Sequence, residues 1–146
     1  METICARGKF HAAHRQLDYA GKCAWVHGHT WRGEFTVAAD GFPRDERTDM
    51  TVDFGALKSI FRHLGHKMLV SARDEDFLRA DLFDPEGVVV MPGDNPSVEN
   101  VARYCINEAV ETLAKCFPAC GLDYHIAVTI QETDNNYFTL ERRVAI

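Results

Sequence analysis

Two stretches of alternating apolar residues, one ending and one beginning in histidine, constrain this 146-residue chain more than any other feature. From Glu2 to His14 the even positions run Ile4, Ala6, Phe10, Ala12, His14. From His27 to Ala39 the odd positions run His27, His29, Trp31, Phe35, Val37, Ala39. A side-chain period of two is that of a half-buried β-strand. If the two strands are antiparallel neighbours joined by residues 15–26, the end of the first lies beside the start of the second. His14, His27 and His29 then meet on one face, at one rim.

The remaining pattern predicts what covers that face. Asp53 can cap a helix with the stripe Phe54, Leu57, Phe61, Leu64, ending near Gly65. The polar stretch SARDEDFLRADLFDPEG reads as loop, followed by a short buried strand, GVVVM. Asn95-Pro96-Ser97 reads as a turn and cap before the longest helix. That helix has the stripe Val98, Val101, Ala102, Cys105, Ile106, Ala109, Val110, Leu113, with Pro118 just beyond its end. Tyr124, Ile126, Val128, Ile130 and Glu132 form a third alternating face, apolar until its last member, and NYFTLERRV completes a hairpin after a DNN turn. The expected class is α+β: one domain, 1–146, with an antiparallel four-stranded sheet and two helices packed on one face. The order of elements is not the βαβ alternation of a dinucleotide-binding sheet, and there is no GxxxxGK[ST] phosphate loop.

Composition narrows the function classes. With 46% hydrophobic and 26% charged residues the chain is an ordinary globular one. No apolar run approaches the roughly 20 residues that span a bilayer, and the start METICARGKF lacks the apolar segment of a secretory signal. A cytoplasmic protein without membrane contact is expected. The net charge of −6 argues against a nucleic-acid partner. Five scattered cysteines do not suggest a disulfide framework. Cys5 and Cys105 read as structural, and Cys116 and Cys120 lack a matching Cys/His pair at zinc-site spacing. Cys23 differs, because it adjoins the histidine pair.

Three neutral imidazoles around Zn²⁺ leave a fourth position open, which is the catalytic rather than the structural arrangement. Cys23 is the rival fourth ligand, iron or another divalent ion is a rival to zinc, and the plainer reading makes the histidines merely hydrogen-bonded. His11, His63 and His125 have no assigned role.

The segments FHAAH, C-x3-HGH, VDFGALK, NPSVENVA and ETDNN, running in order from residue 10 to about 137, resemble the 6-pyruvoyl-tetrahydropterin synthase family. The three-residue gap between Cys23 and His27 most resembles its bacterial branch, the 6-carboxy-tetrahydropterin synthases of queuosine biosynthesis. The resemblance implies the tunnelling fold, whose trimers close into a barrel and usually pair as hexamers. It implies zinc on His14, His27 and His29, and a 7,8-dihydroneopterin triphosphate substrate converted to 6-carboxy-tetrahydropterin, acetaldehyde and triphosphate. It makes Cys23 the general base, working as thiolate. Glu132 becomes the pterin anchor, accepting two parallel hydrogen bonds from the 2-amino group and ring N3. Otherwise Glu132 is a strand-end carboxylate turned to water. Thr133 and Ser97 are further candidates for contacts to the ring, and Arg7, Lys9, Lys22, Arg32 and Lys67 for the triphosphate.

The chain departs from the family at one position. Gly65-His66 stands where the family has Asp-His, and that aspartate orients the catalytic histidine. The expectation is that His66 keeps an acid/base role with reduced efficiency, with an acid from Asp74–Glu75–Asp76 as a substitute partner. The alternatives are a histidine bonded to backbone at a helix end, a different pterin side-chain lyase such as a 6-pyruvoyl-tetrahydropterin synthase, and a non-catalytic pterin-binding protein.

Overall fold

The computed structural model describes residues 1–117 and 121–146, so Pro118 and Cys120 lie outside the described residues. Strands β1 (Glu2–His14) and β2 (His27–Ala39) have the bounds that alternation predicts. They pair antiparallel, with His14 opposite His27 and Gly8 opposite Gly33. Helix α1 (Phe54–Leu64) starts at Asp53, whose carboxylate accepts the Gly55 N–H at 2.7 Å. Its buried row is Leu57, Ile60, Phe61, Leu64, while Phe54, first in the predicted stripe, stays exposed. Strands β3 (Lys67–Ser71) and β4 (Val88–Met91) precede helix α2 (Val98–Cys116), and β5 (Asp123–Thr133) and β6 (Asn136–Ala145) close the chain as a hairpin.

The sheet corrects the expectation of four antiparallel strands. It has six, in the order β4-β3-β1-β2-β5-β6. Strands β1, β2, β5 and β6 are antiparallel neighbours, as expected, but β3 runs parallel to β1 and β4 parallel to β3. Strand β3 carries the continuous run Met68-Leu69-Val70, without the alternation that marked the other strands. Such a run suits a strand buried on both faces, and periodicity alone cannot separate it from the end of a helix.

The two helices cover one face of the sheet and share a single core with it. The packing hinges on an absence of side chains. Phe61 lies flat over the Gly8–Gly33 pair, where a Cβ on Gly33 would sit 2.2 Å from the ring and one on Gly8 2.8 Å. The ring stacks on Phe35 at 4.6 Å and on Phe10 at 6.3 Å, and burying such a side chain contributes about 1.5–3 kcal/mol. Cys105 is fully buried in α2, and burial pushes its thiol up. Cys5 is exposed on the uncovered face, so the structural role expected for it is not met. No helix among the described residues is long and apolar enough to cross a membrane.

The turn before α2 also fixes the loop 15–26. The Asn95 side chain accepts the Leu17 N–H at 2.7 Å and donates to the Leu17 carbonyl at 3.1 Å. Asn100, one turn into α2, donates to the Asn95 carbonyl at 2.8 Å. The sheet rim, the loop and the helix start are thereby one unit.

Candidate metal and substrate site

The antiparallel pairing of β1 and β2 brings the three predicted imidazoles together. Their ring centroids stand 4.6 Å (His14–His27), 4.8 Å (His27–His29) and 5.2 Å (His14–His29) apart. One ring nitrogen from each lies within 4.8 Å of the other two. Trp31, fully buried, floors the cluster: its ring meets His14 and His29 edge-on at 5.0 and 5.4 Å, and its Nε1–H donates to the Ala12 carbonyl at 3.2 Å.

Backbone carbonyls decide which nitrogens are free. His14 Nδ1 is 2.7 Å from the Pro96 carbonyl oxygen, and His27 Nδ1 is 2.7 Å from that of Trp25. A carbonyl oxygen only accepts, so each Nδ1 must carry its proton and each Nε2 presents a lone pair. Those two Nε2 atoms face each other at 3.1 Å. Two lone pairs at that distance repel unless a cation lies between them. His29 Nε2 is buried with no hydrogen-bond partner in the protein. Burial pushes the His14 imidazole down to about 4, against the pull of the Pro96 carbonyl, and His27 and His29 add to the drop. His29 is lowered for the same first reason, burial. At neutral pH His14 and His29 therefore offer unprotonated nitrogens, the kind of donor that a divalent ion of borderline softness requires.

Glu132 joins them. Its Oε1 is 3.5 Å from His14 Nε2 and 3.9 Å from His29 Nε2. The carboxylate continues the inward face of Tyr124, Ile126, Val128 and Ile130. A β-bulge lies at the same residue: Gln131 pairs with Tyr137 but Thr133 with Asn136, leaving Glu132 as the extra residue. Burial raises the Glu132 carboxyl, His27 opposes the rise, and Glu99 adds to it. The alternation of β5 marked Glu132 as the end of an apolar face. Its nearness to the imidazoles depends on β5 pairing with β2, which one strand's pattern does not reveal.

The other predicted residues are placed as follows. Cys23 is exposed in a 3₁₀ turn, Lys22–Ala24, with its carbonyl accepting the Gln16 N–H at 2.7 Å. Its thiol is not part of the converging donor group. Ser97 caps α2, its hydroxyl accepting the Asn100 N–H at 3.4 Å. Thr133 Oγ1 accepts from Asn136 Nδ2 at 3.0 Å. Both hydroxyls keep a free valence, and both border residues of the cluster: Ser97 follows Pro96, and Thr133 follows Glu132.

His66 is set apart from the imidazole cluster. It has φ 61°, and its N–H donates to the His11 carbonyl at 2.7 Å. Its ring meets that of His11 at 6.5 Å. The two border an open cleft of about 500 Å³ with Gly28, His29, Thr30 and Lys67, so one imidazole of the cluster lines the same cleft as His66. Among the described residues no carboxylate is within ion-pairing distance of His66. The expected substitute is otherwise engaged: buried Asp74 accepts two bonds from Arg15, at 2.8 and 2.6 Å, and Asp76 a third at 3.2 Å. Sequence reasoning missed the carbonyls of Pro96 and Trp25. A backbone oxygen is present in every residue, so only the three-dimensional turn could reveal them.

The chain matches the model of the 6-pyruvoyl tetrahydropterin synthase family over residues 3–143. It is 27% identical, over 135 residues, to the 6-carboxy-5,6,7,8-tetrahydropterin synthase of Rickettsia typhi, covering 86% of this chain and 90% of that protein. The same-named protein of Synechocystis is 38% identical over 75 residues, 47% of this chain and 58% of that one. Among solved structures, the 6-pyruvoyl tetrahydropterin synthase of Plasmodium falciparum superposes with a TM-score of 0.71 at 17% identity, covering 98% of each chain. With most of its length matched to the family model and the fold shared, this chain belongs to the 6-pyruvoyl tetrahydropterin synthase family.

Proposed function

We propose that this protein is a zinc-dependent lyase that converts 7,8-dihydroneopterin triphosphate to 6-carboxy-5,6,7,8-tetrahydropterin, acetaldehyde and triphosphate. The observation that carries the reading is the set of imidazole lone pairs, two of them facing each other across 3.1 Å, beside a carboxylate. The name carried by the relatives from Rickettsia and Synechocystis supports the carboxylating reaction over its pyruvoyl counterpart.

His14, His27 and His29 would hold the ion. Zinc bound there supplies Lewis acidity, which makes substrate hydroxyls more acidic and polarises a forming carbonyl. The chain's own groups bind and move protons. Glu132 orients the pterin by accepting from its 2-amino group and N3. Thr133 and Ser97 add polar contacts to the ring. Cys23, as thiolate on the loop clamped by Asn95, takes a proton from the substrate side chain. Trp31 keeps water from the buried side of the imidazoles. His66 serves as a second acid/base group, and in a homo-oligomer, a trimer or hexamer, it acts at the site of a neighbouring copy.

A second reading, a pterin-binding protein without turnover, is favoured by one observation: no carboxylate orients His66. Incubating the zinc-loaded protein with dihydroneopterin triphosphate and identifying products by mass spectrometry separates them. Acetaldehyde with a 6-carboxy pterin is expected. A 6-pyruvoyl product, or tight pterin binding without turnover, would overturn the first reading. A Cys23→Ala variant that keeps its zinc and loses turnover places the thiol in the chemistry.

A further inference from the structure

We infer that Glu132 is the fourth ligand of the metal ion while the pterin pocket is empty, and that it leaves the ion when the pterin binds. The inference rests on the metal reading of the three histidines and goes beyond it in the role of the carboxylate.

The argument is one of distances and of donors. A tetrahedral ion bound at about 2.0–2.1 Å separates its ligand atoms by roughly 3.3–3.4 Å. Glu132 Oε1 stands 3.5 Å from His14 Nε2 and 3.9 Å from His29 Nε2, and His14 Nε2 stands 3.1 Å from His27 Nε2. The three imidazole nitrogens as a set lie within 4.8 Å of one another and Glu132 has no contact to His27 within 4.0 Å, so the carboxylate would move inward to ligate. The three edges are nonetheless near the size that a shared ion imposes. No protein hydrogen explains them: the Nδ1 protons of His14 and His27 are committed to Pro96 and Trp25, and His29 Nε2 has no partner. Neutral His14 and His27 rings therefore turn lone pairs toward one another beside the Glu132 carboxylate. Glu132 ends the inward face of β5, and the bulge there leaves it without the Asn136 partner that a regular β5–β6 register would give it.

One carboxylate cannot serve a metal ion and the amidine edge of a pterin with both oxygens at full strength. The two are therefore in competition for Glu132. The pocket without substrate keeps a four-coordinate, quiescent ion. An arriving pterin ring withdraws the carboxylate and opens the coordination position that the substrate's hydroxyls then use. Binding and activation are coupled through one side chain, and the coupling is reciprocal.

Cobalt(II) is the probe, because its visible spectrum reports coordination number and ligand type without any turnover. Wild-type protein and Glu132→Gln are loaded with Co²⁺, and their affinities are compared by competition with a chelator. The amide has the size of the carboxylate but lacks its charge. The expected result is one Co²⁺ per wild-type chain, at least about a tenfold weaker affinity for Glu132→Gln, and a changed spectrum for the variant. Unsubstituted pterin, which has no side-chain hydroxyls, should shift the wild-type spectrum and weaken Co²⁺ retention, and do neither to the variant. Equal affinities with identical spectra would overturn the role of Glu132 while leaving the histidine site standing. Failure of the wild-type chain to bind Co²⁺ would overturn the histidine site and this inference together.

Discussion

At the scale of single residues, the site depends on where protons are kept. His14 is the clearest case. Its folded-state pKa is near 4 because of burial, against about 6.5 for a free imidazole. The unfolded chain therefore binds the proton more tightly than the folded one. Stability of the metal-free protein is complete above pH 6.5 and falls as pH drops from there toward 4, by up to about 3 kcal/mol from this residue. Urea unfolding of chelator-treated protein at pH 7.5, 6 and 5 measures the slope, and a His14→Asn variant should flatten it whatever its overall stability. Gly65 poses the second residue-scale question. Its φ of −65° and ψ of 133° are open to any side chain, and a Cβ there would meet only the Arg62 carbonyl, at 3.2 Å. Gly65→Asp should therefore fold with a loss of less than about 1 kcal/mol. If His66 works as an acid or base, the new carboxylate raises kcat by about tenfold and His66→Ala lowers it by about 100-fold, with KM little changed. Steady-state kinetics on the two variants decide it, and an unaltered kcat in His66→Ala would remove His66 from the mechanism.

At the scale of elements, β1, β2, β5 and the two helices were legible because each buries one face only. A half-buried element prints its period on the sequence, and its caps Asp53 and Ser97 mark where the period changes. Strand β3 was not legible, since three apolar residues after a helix end have no period of their own. Its place comes from a partner, with Ala12, Ala13 and His14 pairing Lys67, Met68 and Leu69. The imidazole cluster was readable from the same alternation that gave β1 and β2. Glu132 was readable as the last member of the alternating β5 face, whereas the bulge at that residue was not, because it is a mismatch between two strands rather than a property of either. The contact of α1 with the sheet makes a sharp test of the packing. Gly33→Ala puts a methyl group into the Phe61 ring and should cost about 3 kcal/mol. Phe61→Ala leaves a cavity between Phe10 and Phe35 and should cost about 3–5 kcal/mol. Because both changes act on one contact, the double variant should lose less than the sum of the two, which a double-mutant cycle by denaturant unfolding measures.

At the scale of the whole molecule, the chain is an unfinished surface. Strands β4 and β6 end the sheet, each with a neighbour on one side only. The face away from the helices is lined by polar side chains, including Arg7, Lys9, Arg32, Glu34, Thr129 and Gln131 around a depression of about 480 Å³. Open edges invite pairing with another chain unless something covers them. The placement of the acid/base candidates gives that pairing a purpose. The imidazole cluster lies at the rim where His14 pairs with His27, and the His66 ring lies beside His11. Within one chain His29 and His66 border one cleft of about 500 Å³. The proposed homo-oligomer would bring the His66 of another copy to that rim, as an alternative to the His66 of the same chain. Subunit mixing tests this directly. A His14→Ala chain lacks a metal site and a His66→Ala chain lacks the second group, so neither homo-oligomer turns over at the wild-type rate. After unfolding and refolding an equimolar mixture, random assembly gives about a quarter of the sites an intact pair from two chains. Activity near that fraction of wild type is expected, whereas activity no higher than the mean of the two parents would mean that both groups act within one subunit.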